Sequence, residues 1–76
     1  MMQTDKLVRM ANQIAGFWGT QPGDRAAGVA RHLNDFWDPV MRAELAAHAA
    51  AGGAGLDPLV MQAVPHLRLP AERVPG

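Results

Sequence analysis

The dipeptide Asp-Pro occurs twice in this 76-residue chain, at 38–39 and 57–58, and each occurrence is a stop and a start at once. A residue before proline is pushed out of the α conformation, while an Asp cap followed by Pro at the first helical position is a favoured way to begin a helix. Gly19-Thr20-Gln21-Pro22-Gly23 and Gly52-Gly53 add two further breaks. A chain punctuated in this way cannot form one long helix. Its short segments must bury their apolar stripes against one another or against something else.

The stripes are present. Leu7, Met10, Ala11, Ile14, Phe17 and Trp18 recur at helical spacing behind Thr4, an N-cap, and Asp5, which predicts a helix over 5–18. Asp24 starts a second, over 24–37, with Ala26, Val29, Ala30, Leu33, Phe36 and Trp37 on one stripe and Arg31, His32, Asn34 and Asp35 outside it. The short connection between the two favours antiparallel packing. A third helix over 39–51 begins at the Asp38-Pro39 corner and is rich in Ala, so it either forms the surface or packs closely on a neighbour. A fourth, over 58–64, follows Asp57-Pro58, and residues 65–76, with Pro65, Pro70 and Pro75, are expected to be an extended Pro-rich C-terminal tail. The fold class expected is all-α, a small bundle of three to four short helices in one small helical domain over 1–76.

Composition bears on how such a bundle can hold together. Apart from 14 Ala, the chain holds 23 large apolar side chains, a thin core for its length. Chains this small usually need a disulfide, a metal or a partner. There is no Cys, and the nitrogen ligands are His32, His48 and His66, on three different segments without metal-ligand spacing, which leaves a partner as the expected staple. Seven basic and seven acidic residues give no net charge and form no basic cluster, so nothing favours nucleic acid or an anionic membrane. The start carries no signal-peptide pattern and no segment has the length of a membrane span, so the expected setting is cytoplasmic, and the Met1 start suggests a complete small protein.

Catalytic constellations are not apparent. Asp24, Asp38 and Asp57 are committed to helix starts, Asp35 and Glu44 remain as free carboxylates without a cleft, and Thr4 and Thr20 are the only hydroxyl side chains. Gly52-Gly53-Ala54-Gly55 follows no strand and precedes no Lys-Ser/Thr, so it reads as a helix stop and not as a phosphate loop. The aromatic pairs Phe17-Trp18 and Phe36-Trp37 are more informative. They close two similar segments 19 residues apart, and neighbours on a helix diverge by about 100°, so one member of each pair is expected near a rim where a partner can reach it.

Asp5-Lys6-Leu7-Val8-Arg9-Met10-Ala11-Asn12-Gln13-Ile14, then Phe36-Trp37-Asp38-Pro39-Val40-Met41-Arg42, and on through Gly52-Gly53 to Gly55-Leu56-Asp57-Pro58-Leu59-Val60, carry a family likeness. Over about residues 5–64 the chain resembles the delta subunit of soluble NAD-dependent formate dehydrogenases. The resemblance implies a small non-catalytic accessory subunit that binds no cofactor itself. Its large catalytic alpha subunit would carry a bis-pterin molybdenum or tungsten centre and iron–sulfur clusters, its beta subunit FMN and the NAD site, and its gamma subunit another iron–sulfur cluster. The delta chain would stabilise or help assemble the cofactor-loaded complex by docking on the alpha subunit. No catalytic, cofactor-binding or metal residue is carried over. Phe17, Trp18, Phe36, Trp37, Pro39, Met41 and Arg42 are the expected partner interface. The alternative is a free-standing helical dimerisation or regulatory module; a small hydrolase or metal-dependent enzyme is opposed by the residues.

Overall fold

The computed structural model describes residues 3–69, and these form helices joined by short turns: α1 (Gln3–Trp18), α2 (Arg25–Phe36), α3 (Pro39–Ala50), α4 (Pro58–Ala63) and a 3₁₀ turn, Val64–His66. The described residues contain no strand. Each Asp does the work its position implied: the carboxylates of Asp24, Asp38 and Asp57 accept from the backbone N–H of Ala27 (3.0 Å), Met41 (2.8 Å) and Leu59 (2.8 Å). Pro39 and Pro58 stand in the first turns that follow, where a helix has no use for their missing N–H. Gly52 and Gly53 end α3 with φ of 119° and 67°, and the Gly53 N–H returns to the His48 carbonyl at 2.9 Å.

Leu7, Ala11 and Ala15 of α1, Val29, Ala30 and Leu33 of α2, Trp37, Leu45 of α3, and Val60, Ala63 and Leu67 at the C-terminal end make one buried cluster. α2 lies at its centre, against α1, α3 and, most extensively, α4. α1 and α2 run in opposite directions, because Trp18 at the end of α1 covers Gly28 near the start of α2, while Met10 shares a groove with Trp37. The similar segments take similar places: Ala11 and Ala30 are buried, Phe17 and Phe36 face outward, and Trp18 and Trp37 turn inward.

Three expectations are corrected. Thr4 does not cap α1; it lies within the helix, and its hydroxyl donates to Glu44 Oε2 at 2.7 Å, so Glu44 is not a free carboxylate. The chain does not become extended at 65, because Val64–His66 closes a 3₁₀ turn that delivers Leu67 into the core. Extended backbone begins at Leu67, with φ −76° and ψ 138°, and the rest of the expected tail, 70–76, lies outside the described residues. The flank of α2 outside its apolar stripe holds a structural residue, Asn34.

Two asparagines hold the non-helical segments. Asn12 Nδ2 donates to Gly55 O (2.8 Å) while its Oδ1 accepts from Asp57 N (2.8 Å). Asn34 repeats the pattern, with Nδ2 to His66 O (3.2 Å) and Oδ1 from Arg68 N (2.8 Å). In each case one amide serves the carbonyl of residue n and the N–H of residue n + 2, as a neighbouring strand would. Backbone groups that no helix satisfies are thereby paired.

Gly28 has a steric reason to be glycine. A methyl group there would lie 2.5 Å from Trp18 Cε3 and 2.8 Å from Cδ2 and Cζ3. Gly28→Ala should therefore push the indole off α2. A steric cost of about 1–3 kcal/mol outweighs the gain of about 1 kcal/mol in helix propensity. Thermal unfolding followed by circular dichroism should show a lower midpoint, with tryptophan emission shifted to the red; an unchanged or raised midpoint would count against close packing of Trp18 on α2.

Candidate docking surface

The cleft between α1 and α2 follows from their aromatic ends. Met10, Ile14, Phe17 and Trp18 from α1 and Trp37 from the end of α2 line an open groove of about 560 Å³, with Gln13 and His32 as its polar members. Phe17 meets Trp18 edge-on, with ring centroids 5.4 Å apart at 86°. His32 lies against Phe36, one helical turn on, at 4.7 Å and 38°. Both phenylalanines remain largely in water, Phe17 59% and Phe36 74% exposed, although a Phe of this kind gains about 1.5–3 kcal/mol on full burial. Exposed aromatic surface beside a concave apolar wall is the usual form of a contact site.

The expected interface residues divide. Phe17, Trp18 and Trp37 line the groove, and Phe36 does not, although its ring lies tilted against His32, which does. Pro39 is exposed at the start of α3 and Met41 is half-buried against the core, and neither lines the groove. Trp37 is 6% exposed and Arg42 8%, so both are part of the interior of the folded chain. Arg42 explains its burial by its bonds: Nε donates to Arg68 O (2.6 Å), and Nη1 donates to Asn34 O (3.3 Å) and to Trp37 O. A guanidinium fork across the last carbonyls of α2 also meets the negative end of that helix. Its role is to fasten the α2–α3 corner to the C-terminal segment.

Sequence reasoning did not single out Gln13, and it set His32 outside the apolar stripe of the second helix. The i, i+4 spacing of His32 and Phe36 was the available signal. Val40, exposed next to Pro39, also went unremarked.

A second cleft of about 560 Å³ runs past Gly16, Gly19 and Gly23 to Asp24, Arg25 and Asp57. Its two carboxylates are the caps of α2 and α4, already bonded to helix N–H groups. His48 Nε2 donates to Ala54 O (2.8 Å) across the α3–α4 connection, and His66 is exposed. Among the described residues no three His, Cys, Asp or Glu side chains come together as a metal site. No helix among them is long and apolar enough to cross a membrane.

These features define a small all-α protein whose accessible apolar feature is an open aromatic groove between two antiparallel helices. The chain belongs to the family of the NADH-dependent formate dehydrogenase delta subunit FdsD, whose family model matches residues 6–64. The matched stretch holds every groove-lining residue and both clamping asparagines. None of the curated proteins matches the chain significantly.

Proposed function

We propose that this chain is a non-catalytic accessory subunit of a cytoplasmic NAD-dependent formate dehydrogenase complex, which it stabilises or helps assemble in its cofactor-loaded form by docking on the large catalytic alpha subunit. The bis-pterin molybdenum or tungsten centre, the iron–sulfur clusters, FMN and the NAD site belong in this reading to the alpha, beta and gamma partners. The observation that carries it is the aromatic groove in a chain of the delta-subunit family: Phe17 and Phe36 stand in water beside an apolar wall, on a molecule whose own core is small. Burying those rings against a subunit supplies the stabilisation that a chain without cysteine cannot take from a disulfide.

The test is recovery of the tagged chain from its native cytoplasm, identification of what accompanies it, and assay of the eluate for formate-dependent NAD reduction. Recovery of a large molybdopterin-type subunit together with activity is the expected outcome. The double variant Phe17→Ala/Phe36→Ala should keep its helical circular dichroism and lose at least tenfold in recovered complex, since exposed hot-spot aromatics contribute about 2 kcal/mol or more each when they are buried at an interface. A folded chain recovered alone as a homo-oligomer would defeat the proposal.

A further inference from the structure

We infer that the groove between α1 and α2 receives an apolar helical segment of the partner subunit that carries a carboxylate where it passes His32. The inference rests on the docking reading above and supplies the chemistry of the occupant. Two antiparallel helices leave an open trough, and a third helix fits such a trough by laying side chains at i, i+3 and i+4 between their ridges. Met10, Ile14 and Trp18 offer those side chains an apolar wall.

The polar character of the groove selects the rest. Among the described residues no Asp, Glu, Lys or Arg lines it, and His32 is their one lining group able to carry charge, a positive one. Among the described residues the side-chain hydrogen bonds of α1 and α2 are made by Thr4, Asn12, Arg25 and Asn34, and none of them engages Gln13 or His32. Both can donate N–H into the groove. A carboxylate can accept from either and complements His32 when the ring is protonated, whereas a Lys or Arg of an occupant would bring a second cation to that ring.

Other occupants fit less well. A second copy brought groove to groove presents His32 and Gln13 again and, among the described lining residues, no carboxylate. Residues 70–76, Pro-Ala-Glu-Arg-Val-Pro-Gly, do include an acid, but they hold one large apolar side chain, Val74, too few to fill an apolar wall of this length.

The experiment uses the assembled complex, with p-benzoylphenylalanine in place of Phe17. Irradiation should link the chain to a partner peptide with apolar residues at i, i+3 or i+4 spacing and an Asp or Glu within one turn of the crosslink. In parallel, His32→Glu should weaken binding to the complex stripped of this chain at least tenfold and His32→Arg by no more than twofold, both variants keeping wild-type circular dichroism. A crosslink to residues 70–76, to a second copy, or to a partner peptide lacking an acid would overturn the inference. So would the absence of any crosslink in a complex that retains the chain, or equal binding by the two His32 variants. If the groove crosslinks elsewhere in an active complex that contains the chain, the accessory role stands and the inference alone fails; if the chain enters no complex, both fail.

Discussion

Replacing Trp37 by alanine should lower the stability of the chain by about 3–5 kcal/mol, because the indole is 6% exposed and packs in the cluster that holds Leu33 and Val29. A chain of this size has a total stability of about 4–11 kcal/mol, so the variant should be largely unfolded at physiological temperature. Circular dichroism melting measures this directly; a midpoint within a few degrees of wild type would place the ring outside the core. Phe36→Ala provides the contrast. Its ring is 74% exposed, so stability should change by no more than about 0.5 kcal/mol while docking weakens. Adjacent residues of one aromatic pair thus separate a folding defect from a binding defect. A Trp37 substitution alone, read only by loss of the complex, would confuse them.

Arg42→Ala should cost about 2–4 kcal/mol. The guanidinium bonds the carbonyls of Asn34, Trp37 and Arg68, and its removal takes a charged donor from all three in a site 8% exposed. Arg42→Lys should recover only part of that loss, since a single ammonium on a flexible stem cannot reproduce a planar fork. Amide hydrogen exchange gives the second readout: protection at Leu67 and Arg68 should fall further than protection in α1, because the C-terminal segment is tied down by Arg42 and Asn34. Uniform loss of protection across the chain would show that Arg42 supports the whole core and not this fastening.

Local chemistry explains which parts of the fold were legible. The helix boundaries after the first turn follow from three Asp caps, two N-terminal prolines and a glycine stop, each of which acts within four residues of itself. The aromatic pairs marked a surface because two adjacent helical positions diverge; that Phe faces out and Trp faces in at both pairs was not legible. At Trp18 that choice depends on the bare face that Gly28 leaves on α2, and at Trp37 on the buried cluster the indole joins. The groove was legible in its aromatic members and not in Gln13 or His32, whose identity as lining residues requires the two helices to be set side by side.

The sequence by itself determined that this chain makes short helices, where α2, α3 and α4 begin, and that no disulfide stabilises them, because caps, breakers and apolar period are properties of neighbouring residues. The tertiary structure decided the fate of polar side chains. Thr4 meets Glu44 forty residues away, Asn12 and Asn34 clamp backbone at 55–57 and 66–68, and Arg42 becomes a buried fastener. A polar residue on a helix looks solvated until a distant segment presents an unpaired carbonyl or N–H to it. Which segment does so is set by the packing of the whole chain.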